Sequence, residues 1–227
     1  LIILTYHRVL PDDAPERQHE QPGMITRPEL LERHIELMRS LGAVPVHLDE
    51  WLDKKSRQRV LPRLAFAVTF DDGWRDNFDH AFPKLKEQNI PATIFLVTRM
   101  TDSLATFWPE RVLELLTSRS IPRSEPAYAW MTPYLPETRD SEAPLSLQDA
   151  DGVISKLKAL PDEAIYGHLQ QMPDNSELST HSKEGKRAIL NSREIAEMAQ
   201  SGLIRFGAHT RHHYRLNRLV DPSHLES

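Results

Sequence analysis

The stretch Leu64-Ala65-Phe66-Ala67-Val68-Thr69-Phe70-Asp71-Asp72-Gly73-Trp74 decides the fold. Its first seven residues are apolar or β-branched, which predicts a strand covered on both faces of a parallel sheet. The run then breaks into two adjacent carboxylates and a glycine. Carboxylates side by side cost desolvation and repulsion unless a cation neutralises them. A solvated Asp-Asp-Gly turn opening a helix is the plain alternative. Gly73 permits a tight turn that a bulkier residue would resist.

The same pattern recurs on either side. Residues 1–6 form an apolar, β-branched run, read as another strand buried on both faces. Thr26 is expected to cap a helix over 28–41, with Leu30, Leu31, His34, Leu37, Met38 and Leu41 recurring at three and four and Gly42 closing it. A short strand at 44–48 follows, then a small helix capped by Asp49. A helix around 78–88 leads to a strand over 92–97. The order β-α-β-α-β predicts an α/β fold with parallel strands. Residues 101–190 carry no convincing strand, but helical patterns near 107–117, 146–159 and 162–171 lie between Pro-rich stretches. The apolar face of the first, with Phe107, Trp108, Val112, Leu113, Leu115 and Leu116, is expected to pack on the α/β part. The rhythm resumes with a helix opened by Ser192-Arg193-Glu194 and a fifth strand over 203–208. The expected division is therefore 1–100, a mostly helical insertion at 101–190, and a continuation at 191–227.

Composition excludes several classes. Of 227 residues, 33 are acidic and 28 basic, giving a net charge of −5 without the basic footprint of a general nucleic-acid binder. No nucleic-acid or membrane partner is expected. The hydrophobic fraction of 39% is too high for a disordered chain, and the longest apolar runs are strand-sized. Cysteine is absent, which removes thiolate nucleophiles, disulfides and cysteine-ligated metals but does not decide the compartment. The chain opens on Leu1 with no visible signal segment and closes on Asp221-Pro222-Ser223-His224-Leu225-Glu226-Ser227, which reads as the start of a helix. A piece of a longer protein is expected.

Chemistry in parallel α/β folds gathers where strands end. The third strand ends in Asp71-Asp72, the fifth in His209-Thr210-Arg211-His212-His213 and the first in His7. His209 and His213 share a face if their segment begins a helix, so both imidazoles can reach one ion. Alone, an H-x3-H spacing is more often a His-rich surface loop. With one Asp added, the ligand count fits a catalytic zinc site that keeps a position for water. Zinc lowers the pKa of water to roughly 7, making a nucleophile for an amide or ester carbonyl while the second Asp accepts the proton. Neither a G-x-S-x-G elbow nor a P-loop is present.

Thr69-Phe70-Asp71-Asp72-Gly73-Trp74 resembles the first motif of the polysaccharide deacetylases that share the chitooligosaccharide-deacetylase (NodB) homology domain. Ala208-His209-Thr210-Arg211-His212-His213-Tyr214-Arg215-Leu216 is similar to the second, and residues 4–11 look like the first strand of envelope and exopolysaccharide members. The resemblance implies a partial, distorted (β/α)7-type barrel and removal of N-acetyl groups from a bacterial polysaccharide by metal-activated water. It implies Asp71 as general base, one divalent metal, commonly zinc, on Asp72, His209 and His213, and Trp74 and His7 lining the sugar cleft. Read as structure, Trp74 is equally a packing aromatic and His7 a strand-end residue satisfied by backbone. The family's later segments, including the L-x-H that supplies the acid to the leaving amine, have no counterpart here, and that acid is expected beyond residue 227. Neither His168 nor His181 is a clean substitute. The same fold also serves hydrolases of small cyclic amides or ureides, and a non-catalytic carbohydrate-binding or interaction module is the alternative of another class.

Overall fold

The computed structural model describes residues 1–21, 23–136, 143–172 and 187–218. The closing segment 221–227, His181 and His224 lie outside them. Two compact units emerge. The first joins Leu1–Ala14, Gly23–Ser103 and Arg187–His212, and the second joins Pro15–Pro22, Leu104–Lys186 and His213–Ser227.

The first unit is α/β. Its strands are β1 (Ile2–Tyr6), β2 (Arg8–Val9), β3 (Ile25–Thr26), β4 (Val44–Pro45), β5 (Ala65–Phe70), β6 (Ala92–Leu96) and β7 (Ile204–Ala208). The main sheet runs β1-β5-β6-β7, with β4 also pairing β5, and every pairing is parallel. Strand β5 is buried along its whole length, as its unbroken apolar run requires. Strand β1 differs from expectation. It lies at the end of the strand order and alternates, leaving Ile3 49% exposed, so only one face is covered.

Helix α1 (Pro28–Ser40) starts with Pro in its first turn. Its N-cap is Arg27, not Thr26, because Thr26 is already paired in β3. Its buried stripe is Pro28, Leu31, Ile35 and Met38, while Leu37 and Leu41 are exposed. Helix α2 (Leu48–Ser56) is capped by the His47 backbone, with Asp49 inside the first turn. A π-turn over Asn77–Ala81 continues into α3 (Phe82–Glu87). The core gathers Leu31, Ile35, Phe66, Val68, Phe70, Leu85 and Ile94, and each such side chain contributes about 2 kcal/mol on burial.

The second unit packs α4 (Trp108–Ser118), α5 (Leu147–Leu157) and α6 (Asp162–Gln171) around its own core. Trp108, Val112, Leu113, Leu115 and Leu116 meet Val153, Ile154, Leu157, Ile165 and Leu169. This corrects the expectation that α4 packs on the α/β part: its apolar face has helical partners within its own unit. A buried polar knot joins these elements. Asp162 accepts from the Trp108 indole at 2.9 Å, from the Arg215 backbone N–H at 2.7 Å and from the Arg215 guanidinium at 2.8 Å.

The chain re-enters the first unit through α7 (Ser192–Gln200), which opens with a capping box. Asn191 Oδ1 accepts from the Glu194 N–H at 2.7 Å, and Glu194 returns the bond at 2.9 Å. Asp102 accepts from the Ser192 N–H at 2.9 Å and from the Ser192 hydroxyl.

Candidate active site

Parallel registers place the candidate residues. Tyr6 pairs with Phe70 and Leu96 with Ala208, so β1 ends level with β5 and β6 with β7, while Phe70 pairs with Ile94 and β6 continues to Leu96. His7, Asp71-Asp72 and His209 are the residues that immediately follow three of these ends. The ladder runs past β6 and β7: the His209 N–H reaches the Leu96 carbonyl at 2.7 Å, and Thr98 and Arg99 bond to the carbonyls of Thr210 and Arg211.

The Asp-Asp-Gly turn is tight and locked. Asp72 has φ 73° and Gly73 φ 78°, two successive left-handed residues. Asp tolerates that region better than most side chains, and Gly enters it without penalty. A Cβ on Gly73 would sit 2.7 Å from the Leu96 side chain. The turn is also clamped by a segment the sequence did not flag. Leu190 N–H bonds the Gly73 carbonyl at 2.9 Å, and Arg75 N–H bonds the Ala188 carbonyl at 2.7 Å.

The left-handed turn leaves the two carboxylates in different surroundings. Asp71 is 22% exposed, with Oδ2 4.0 Å from His7 Nε2, while Asp72 is 2% exposed, with Oδ1 3.5 Å from His209 Nε2. Asp72, His209 and His213 each present a ligand atom, all within 4.8 Å of one another. The histidines do not meet on a helix, as the spacing had suggested. They lie on a loop in which Thr210 and His213 both take positive φ, 62° and 63°. Of the six non-glycine residues with positive φ among those described, three (Asp72, Thr210, His213) lie in these two loops. Backbone cost concentrated this way points to function. The His213 ring rests against buried Phe107, with centroids 4.5 Å apart.

Trp74 is fully buried, which suits its reading as a packing aromatic. Its indole N–H donates to Asp72 Oδ2 at 3.1 Å, and the Arg8 guanidinium lies 4.3 Å from the ring centroid. Arg8 and Asp76, both buried, were not singled out from sequence. Arg8 Nε donates to Asp76 Oδ2 at 2.8 Å, and the Val9 N–H donates to Oδ1 at 2.7 Å. Burial pushes the Asp76 carboxyl up, and the Arg8 charge and these hydrogen bonds oppose that. The available signal was a charged residue inside the apolar run Thr5-Tyr6-His7-Arg8-Val9-Leu10. A cation embedded there needs a buried partner.

The donor set of one buried carboxylate and two imidazoles suits a divalent cation that accepts N and O ligands, zinc above all. No described helix is long and apolar enough to cross a membrane.

Residues 59–121 match the polysaccharide deacetylase family, a segment that includes Asp71 and Asp72 and ends before the histidines. No curated protein sequence gives a significant match. Among solved structures, a de-N-acetylase from Aggregatibacter actinomycetemcomitans is similar at 18% identity and a TM-score of 0.50, covering 92% of this chain and 54% of its own. IcaB from Ammonifex degensii gives 18% identity and 0.50, over 92% and 52%. At that identity the likeness shows the fold: parallel-stranded α/β, as in those proteins. The chain spans about half the length of either structure.

Proposed function

We propose that this chain, which matches the polysaccharide deacetylase family over residues 59–121, is a metal-dependent hydrolase removing N-acetyl groups from a bacterial polysaccharide. The observation that carries the reading is the approach of Asp72, His209 and His213 within 4.8 Å, next to a second, more accessible carboxylate. These three residues would hold the cation. When bound, a divalent cation supplies Lewis acidity, stabilising charge on the amide carbonyl oxygen and making water a better nucleophile.

The chain's own groups divide the remaining work. Asp71 takes the proton from the attacking water, and its partial exposure keeps it within reach of solvent and substrate. His7, about a third exposed at 4.0 Å from that carboxylate, faces the reacting group and contacts the sugar. Asp72, nearly sealed from solvent, is the ligand and not the base. Water adds to the acetyl carbonyl carbon as its proton passes to Asp71, the C–N bond breaks as a general acid returns a proton to the nitrogen, and acetate and a free amine leave.

The test is acetate release from N-acetylglucosamine oligomers, with zinc content measured alongside. Asp71→Asn is expected to lose about 10²–10⁴-fold in turnover while retaining its zinc, the range for a positioned general base. Undiminished turnover in that variant would remove Asp71 from the mechanism. Turnover of a cyclic ureide but of no glycan would reassign the substrate, and glycan binding that survives Asp71→Asn, together with no turnover in a chain extended beyond residue 227, would make the protein a binding module.

A further inference from the structure

We propose that Asp76, Arg8 and Trp74 form a buried positioning relay that sets the orientation of the Asp72 carboxylate for its cation. The inference rests on the metal site proposed above and adds residues that do not themselves touch the ion.

The relay begins at backbone. Asp76 Oδ1 accepts from the Val9 N–H at 2.7 Å and from Asn77 Nδ2 at 3.2 Å. Asn77 Nδ2 also donates to the His7 carbonyl at 2.9 Å, tying this carboxylate to the end of β1. Asp76 Oδ2 accepts from Arg8 Nε at 2.8 Å, which fixes the plane of the guanidinium. Arg8 Cζ lies over the Trp74 ring, 4.3 Å from its centre. Trp74 is wholly enclosed, so it cannot turn without displacing its neighbours. Its N–H is donor only and meets Asp72 Oδ2 at 3.1 Å. The other oxygen, Oδ1, is the one 3.5 Å from His209 Nε2. One carboxylate oxygen is therefore spoken for by a rigid indole, and its twin is turned toward the imidazole.

A buried ion pair is an expensive way to fill space, since well-packed apolar residues of similar volume would serve stability as well or better. It does hold a flat guanidinium at a fixed place against the Trp74 ring. Hydrogen bonds to a ligating carboxylate are the usual means of orienting it, and their loss weakens metal binding.

Two variants test the relay: Trp74→Phe, which keeps a ring and deletes the N–H, and Arg8→Lys, which keeps the charge paired with Asp76 and deletes the flat surface. Zinc affinity is measured by competition with a chromophoric chelator, the visible spectrum is recorded with Co²⁺ in place of zinc, and the melting temperature is taken on metal-free protein. The expected result is zinc binding weakened about 10–100-fold in Trp74→Phe and less in Arg8→Lys. The Co²⁺ spectrum changes in both, and the metal-free melting temperatures fall by no more than a few degrees. Zinc affinity within about twofold of the parent in a folded Trp74→Phe, or in Arg8→Lys if the first variant does not fold, would overturn the relay and leave the site intact. A parent protein that binds no zinc would overturn the site, and the relay with it.

Discussion

At Asp72 and Gly73 the backbone turns through two left-handed residues, and the site depends on that turn. Gly73→Ala combines an unfavourable φ with a contact 2.7 Å from Leu96. The substitution is expected to cost about 2 kcal/mol, lowering the melting temperature by about 4–8 °C for a chain of this size. A thermal shift within a degree would show that the turn relaxes freely. The pair Asp71-Asp72 was legible in sequence because two carboxylates after an apolar strand are poor packing. Residue types alone do not say which of the two is sealed from solvent, since that follows from Asp72 falling in the left-handed position and accepting from Trp74. The aromatic after Gly73 illustrates the limit: a Trp beside two acids reads equally as a sugar platform or a packing residue. Its burial and its indole hydrogen bond to Asp72, neither visible in the sequence, favour packing.

Strands and helices were easier to read than their partners. Strand β5, helix α7 and the three helices of the second unit fall close to where periodicity and stop signals put them. Caps and exposed stripes did not follow, because β3 claims Thr26 and the core selects Ile35 over Leu37. Two predictions belong to this scale. Ser192 N–H and hydroxyl both donate to Asp102, and these bonds hold its carboxyl below the usual range. A carboxyl lowered in the folded state adds stability above its unfolded value, near pH 4, and loses it as pH falls through the folded value. Asp102→Ala should therefore melt earlier than the parent at neutral pH, and the gap should narrow as pH falls below the ordinary carboxyl value near 4. A gap independent of pH would remove the carboxylate from the account. In the second unit, Asp162 is the acceptor for Trp108 and for Arg215. Asp162 is buried but Arg215 is partly exposed, so losing this acceptor and leaving the Trp108 indole unsatisfied costs about 1–3 kcal/mol. Asp162→Ala is expected to show that loss in urea unfolding, whereas a loss below about 1 kcal/mol would make the knot incidental.

For the whole molecule, sequence order conceals the assembly of the site. Asp72 and His209 are separated in the chain by the segment that builds the second unit, yet β5, β6 and β7 are consecutive in the sheet. Parallel pairing makes residues that follow successive strands into neighbours, so a motif-by-motif reading could associate them. The loop geometry that brings in His213 was not legible, because the spacing of the two histidines suits a helix as well as a turn. A ligand that binds only the folded state stabilises it by mass action, about 2.7 kcal/mol at a hundredfold excess over Kd. Zinc should accordingly raise the melting temperature by about 5–10 °C, reversibly on chelation. The central claim is that Asp72, His209 and His213 hold one ion, and its most direct test is the zinc content per chain after stripping and reloading, on the parent and on His213→Ala. The account predicts about one tightly held ion in the parent and its loss in the variant, as expected for a three-ligand site. No specific ion in the parent, or the same ion held equally well by His213→Ala, would contradict it.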